Sequence, residues 1–274
     1  DLMAVVVVGD FDPAKVEEMV VRHFSKIKPA DNPRTREWYP MPDHKQTLFA
    51  IATDPEATRS SIGVMYKHDY KPDLTVRDYR QGIVDGIYNR MLNQRFYELS
   101  QQPNAPFLGA FSSKGSFNRA KEIYRLGASV KNGGIEQGLE SILTEAKRVE
   151  QFGFTPTELE RTKKEMLRGF EQAYAERDKF ESGQYAEEYV SYFTNLISAP
   201  GIDYEFALYQ KYVNTITLDE VNRLAAELIR DDNRVFTLNA PEKEGVAVPD
   251  GNALLAIAKK VQGKEVTPYV DQVS

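Results

Sequence analysis

The chain has 274 residues, 41% apolar and 28% charged, with a formal net charge of −6, which is an ordinary globular composition long enough for one large or two modest domains. It has no Lys/Arg stripe to displace counterions from a phosphate backbone, and no apolar run near the roughly 20 residues a bilayer requires, so neither a nucleic-acid nor a membrane partner is expected. The absence of cysteine removes disulfides, thiolate metal sites and cysteine nucleophiles together.

Met3–Val8 is a β-branched run that reads as a strand buried on both faces. The run opens at Leu2 without a basic flank, so it is not a signal peptide, and without a preceding turn, as though the chain were cut from something longer. Such an orphan strand is expected to dock locally or to pair with another molecule. Gly9 to Pro13 then turns into a helix with Asp12 as N-cap, whose apolar face is Val16, Met19, Val20, Phe24 and Ile27. Pro29 to Pro42 is proline-rich and aperiodic, an extended connector.

A second unit begins near Gln46. Gln46–Thr53 and Ser60–Tyr66 read as strands, and Thr75 to Ser100 as a long helix stopped by Pro103 and Pro106. Phe107–Phe117 and Glu122–Lys131 predict a hairpin around Asn118-Arg119. The second half reads as helical. Ile135 to Val149 ends at Gly153, and Thr155-Pro156-Thr157-Glu158 is a capping box opening a helix to about Phe180. Ser182–Leu196 and Tyr204–Val213 follow, with Tyr185, Tyr189, Tyr192 and Phe193 expected in the core. Thr217 to Glu220 is a second capping box, leading into the strand Arg234–Asn239. After Pro241 comes a linker with one short helix near Ala253–Val261, and the tail to Ser274 has no evident partner.

The residues offer no catalytic constellation. His23, His44 and His68 are too far apart in sequence for either HExxH or HxxEH, so no metal site is expected and each histidine reads as a packing or surface residue. There is no G-x-S-x-G elbow and no phosphate-binding glycine loop, and Glu187-Glu188 reads as a solvated helix face.

Several segments together resemble the pitrilysin/insulinase family of zinc metallopeptidases. The opening VVVVGDFDPAKVEEMVVRHFSKI is similar to the strand, turn and helix that end the family's first domain. NRMLNQRFYELSQ resembles the family helix in which a small-residue stretch precedes R-[LF]-x-x-E-L, and FTPTELERTKKEML is the most specific piece. The resemblance implies an α+β fold, an antiparallel sheet covered by helices. It implies three parts: 1–29 as the end of a catalytic domain, 46–240 as a non-catalytic second domain, and 241–274 as a linker toward a second half. It places the HxxEH helix, the distal Glu and the zinc of the parent protein upstream of this sequence, leaving no catalytic residue and no cofactor here.

The implied partners are a peptide substrate and the rest of the parent chain, and the implied location is periplasmic or exported, with the cytoplasm an alternative. The resemblance also implies a binding site. In insulinase-like members the second domain offers a sheet edge to which a peptide adds as an extra strand. The matching residues are Phe107, Leu108, Gly109, Ala110, Phe111, Ser112, Ser113, Lys114 and Gly115. The alternative for that segment is an internal strand without a ligand. The functional alternatives are a structural or assembly subunit without proteolytic activity and, less supported by the residues, a self-contained enzyme.

Overall fold

The computed structural model describes residues 3–35, 37, 39–195 and 197–271. Five strands, β1 (Leu48–Asp54), β2 (Ser60–Asp69), β3 (Gly109–Ser116), β4 (Lys121–Val130) and β5 (Arg234–Pro241), form one sheet in the order β1-β5-β2-β4-β3. The class is α+β, as expected. The sheet is mixed, because β5 returns from the helical half to lie between β1 and β2 and runs parallel to β1, while the other pairings are antiparallel.

Alternation along the strands separates two faces. Ile62, Val64 and Tyr66 of β2, Tyr124, Leu126 and Ala128 of β4, and Phe236, Leu238 and Ala240 of β5 are buried in the core. Against them pack Ile83, Ile87, Met91 and Leu92 of α2 (Val76–Ser100) and Leu139, Ile142 and Ala146 of α3 (Ile135–Phe152). The other face carries small and polar side chains such as Ser61, Ser129 and Thr237, with Gly63 directly opposite Gly127. A Cβ on Gly63 would stand 2.7 Å from the Leu126 carbonyl oxygen, and one on Gly127 would stand 2.6 Å from the Phe111 ring.

The remaining helices are α1 (Pro13–Phe24), α4 (Pro156–Ala175), α5 (Ser182–Asn195), α6 (Ile202–Tyr212), α7 (Leu218–Leu228) and α8 (Gly251–Gly263). Their starts are set locally. Asp12 accepts from the amides of Ala14 and Lys15. Thr155 with Glu158 and Thr217 with Glu220 form the expected capping boxes, and Thr75 with Asp78 forms a third at the head of α2.

Met3–Val8 is not a strand, and its Met3, Val5 and Val7 are 65%, 46% and 48% exposed. β-branched side chains favour extended backbone, but a strand also needs a neighbouring strand to satisfy its N–H and C=O groups, and no described strand pairs with this run. Leu2 lies outside the described residues. The apolar face of α1 is likewise unburied. In α5 no residue is fully buried: of the expected core aromatics, Tyr189 and Tyr192 are 46% and 56% exposed, and Tyr185 and Phe193 are only partly buried (the expected endpoint Leu196 is outside the described residues). α4 ends at Ala175, short of Phe180, and a single 3₁₀ turn, Arg177–Lys179, follows it. Arg177 folds back there onto the ring and carbonyl of Tyr174.

The tail, expected to lack a partner, has partners through Asp271. The Lys147 ammonium donates to the carbonyls of Val261, Gln262 and Lys264, and Arg148 donates to that of Thr267. Tyr269 donates to Glu98 at 2.6 Å, and Asp271 pairs with Arg161 and accepts from Thr157. These contacts join residues more than 100 positions apart, mostly between a side chain and a carbonyl, and so leave no periodic trace in the sequence.

Candidate functional site

Among the described residues β3 is an edge strand, paired only with β4. It contains seven of the nine expected residues, Gly109 to Gly115, with Phe107 and Leu108 immediately before it. Phe107 is buried edge-to-face against Phe96 at 6.1 Å, and so serves as an anchor in the core. Leu108 is exposed and donates its amide to the Ser129 carbonyl. Phe111, Ser113 and Gly115 are exposed, and the Phe111 ring lies over Gly127. Ala110, Ser112 and Lys114 take the opposite face, toward α2.

The helix holds that face firmly. Lys114 donates to Asp85 at 2.6 Å and lies 3.4 Å from Glu122. Burial works against its charge, but these carboxylates outweigh that and hold its ammonium pKa above the ordinary lysine value. The buried Ser112 hydroxyl donates to Asn89 Oδ1 at 2.6 Å and lies 3.0 Å from the Tyr124 hydroxyl. Its backbone is also taken. The Ser112 amide donates to Asn93 Oδ1 at 2.6 Å, and Asn93 Nδ2 donates to the Ser112 carbonyl at 3.0 Å. Asn89 and Asn93 also line a cleft of about 460 Å³ between α2 and α4, with Gly86, Arg90, Arg161 and Glu165. The sequence gives no sign of this arrangement, since a lone asparagine in a helix has no motif.

The two sequence motifs that stand out most meet elsewhere. Arg95 of the RFYEL segment is 1% exposed and grips Glu158 of the capping box with two N–H donors, Nε at 2.7 Å and Nη2 at 2.9 Å. Its Nη1 donates to Glu145 at 3.1 Å, and Nη2 also reaches the Gly153 carbonyl at 3.2 Å. The guanidinium carbon lies 4.8 Å from the Phe154 ring centroid and 4.1 Å from that of Tyr269. Each of its three nitrogens has an acceptor, so this node ties α2, α3, α4 and the tail together.

The histidines stay apart. His23 is exposed, His44 Nδ1 lies 2.6 Å from the Gln46 carbonyl, and His68 Nε2 lies 3.0 Å from that of Leu228. Burial pushes the His68 pKa down, against the Leu228 carbonyl. Among the described residues no group of three or more His, Cys, Asp or Glu side chains is placed to hold a metal ion. β3 thus presents an edge whose Ser112 backbone groups are taken by Asn93.

Residues 1–166 match the model of the peptidase M16 inactive domain. The chain belongs to this family. It is 25% identical over 271 residues to a zinc protease PQQL-like protein of Arabidopsis thaliana, covering 98% of this chain and 25% of that protein. The chain thus spans about a quarter of the length of the curated relative it matches. The first half of the periplasmic protease PqqL of Escherichia coli superposes with a TM-score of 0.85 at 16% identity, over 96% of this chain and 56% of that one. The ferredoxin protease FusC, solved in complex with Arabidopsis ferredoxin, superposes with a TM-score of 0.71 at 16% identity, over 97% and 30%. At such identities the structural likenesses establish the M16 fold. No helix among the described residues is long and apolar enough to cross a membrane.

Proposed function

We propose that this M16 inactive domain forms a non-catalytic wall of the substrate chamber in a larger zinc-dependent endopeptidase, where extended peptide adds to the outer edge of β3. The observation that carries the scaffold role is the match of residues 1–166 to an inactive-domain model, together with a buried, multiply hydrogen-bonded node where the sequence motifs converge. The zinc, its ligands and the general base come from other parts of the parent protein. The binding role is supported by the position of β3 at the sheet edge, since edge N–H and C=O groups recognise any extended backbone. The partners are therefore a peptide substrate and the remainder of the parent chain. A periplasmic or exported location is supported by the similarity to a protease described as periplasmic.

The intact parent protein, incubated with an unfolded peptide, is expected to cleave it, to lose that activity with a chelator and to regain it with zinc. The present chain alone is expected to bind the peptide without cleaving it. Stoichiometric zinc on the chain alone, or chelator-sensitive cleavage by it, would overturn the assignment.

A further inference from the structure

In an antiparallel edge strand, alternate residues direct both backbone groups toward the partner strand, and the residues between them direct both outward. Both backbone groups of Ser112 bond Asn93 of α2 and not β4, so within β3 the even-numbered positions face outward and the odd-numbered ones face β4. Ala110, Ser112 and Lys114 are therefore the rungs an added strand would use. The central rung is taken, because one primary amide, that of Asn93, accepts from the Ser112 N–H and donates to the Ser112 C=O. This is the pair of bonds an incoming peptide unit would make. Asn89 and Tyr124 fix the same serine through its hydroxyl, which keeps the rung aligned with α2.

We infer that Asn93 is a built-in stand-in for substrate backbone, and that it sets how strongly an extended peptide can add to β3. The inference deepens the proposed chamber role and rests on the β3 edge being the peptide site. While the side-chain amide holds Ser112, a peptide has only the Ala110 and Lys114 rungs, and a continuous ladder forms only if Asn93 turns away into the cleft it lines. Asn93 is thus a specificity-determining residue. It favours segments whose side chains gain enough in that cleft to offset its displacement, over segments recognised by backbone alone.

The test uses the 274-residue chain, a fluorescein-labelled ten-residue Thr/Val peptide, and backbone amide exchange read residue by residue. Without substitution, weak binding is expected, with the peptide slowing exchange at Ala110 and Lys114, and Ser112 already slow without peptide. Asn93→Ala should make Ser112 exchange quickly alone and slowly with peptide, and should tighten binding roughly ten-fold, the order of two net backbone hydrogen bonds. Asn93→Asp keeps the acceptor and loses the donor, so a smaller gain is expected, and this variant also serves if Asn93→Ala fails to fold. Binding by Asn93→Ala alone would support the inference while removing wild-type strand addition from the proposed function. Equal affinity in all three proteins, no binding by any, or fast Ser112 exchange without substitution would overturn it.

Discussion

Removing the Arg95 guanidinium should be among the most damaging single changes available in this domain. Arg95→Ala leaves Glu145 and Glu158, both about 2% exposed, without the cation they face. Breaking a buried pair in this way costs about 3–5 kcal/mol. Glu145 keeps Arg148 as a partner, which pulls the figure toward the lower end, while the loss of contacts with the Phe154 and Tyr269 rings adds about 1 kcal/mol. The net expectation is a loss of about 4–5 kcal/mol, a large share of the roughly 5–15 kcal/mol that holds a domain folded. In urea unfolding followed by circular dichroism, with a slope of about 3 kcal/mol/M, the midpoint should fall by about 1.5 M. Arg95→Lys keeps the charge but cannot form the two-pronged bond to Glu158, so its midpoint should lie between the two. A fall below about 0.3 M for Arg95→Ala would refute the view that this node holds the helical layer together.

Other outcomes follow from the same structure. Gly63→Ala should cost about 2 kcal/mol because its Cβ would meet the Leu126 carbonyl oxygen, which is fixed in the sheet. Gly127→Ala should cost less, because the half-exposed Phe111 ring can swing aside, and urea midpoints in the opposite order would contradict this. The bonds from Arg80, with the Thr217 cap, hold the Glu220 carboxyl at about 2, below its ordinary 4.5. The folded state therefore binds fewer protons than the unfolded one in that interval. The stability Glu220 contributes is present above pH 4.5 and lost as pH falls toward 2. Glu220→Gln should flatten that part of the stability–pH curve, and an unchanged slope would argue against the pairing. Ending the chain after Gly263 should cost about 2 kcal/mol by uncovering Arg95 and breaking the Tyr269 and Asp271 contacts, which thermal unfolding would detect.

The parts of the fold that were legible in the sequence are those set by local chemistry. Thr155-Pro156-Thr157-Glu158 and Thr217 to Glu220 place helix starts because the capping bonds span only three residues. The strands β2 and β4 could be read because one face of each is apolar and buried, whereas β1, exposed throughout, was readable only from its β-branched and aromatic residues. Met3–Val8 misled because propensity cannot report whether a partner strand exists, and α5 because aromatic spacing describes a face without saying what covers it. At the candidate site, β3 could be read as one arm of a hairpin, but the pair of bonds between Asn93 and Ser112 could not. It depends on a helix and a strand 19 residues apart coming within hydrogen-bond distance, and an asparagine in a helix reads the same whether or not it meets one.

The docked tail also fixes where mechanical load enters the domain. A pull on Asp271 reaches the first turn of α4 through Thr157 and Arg161, and the ring of Tyr269 carries it onward to α2. From α2 the pull passes to β3 through the Asn93–Ser112 and Asp85–Lys114 bonds. Tension from any attached polypeptide would be felt first as a tilt of α4 against α2, the two walls of the cleft that contains Asn93.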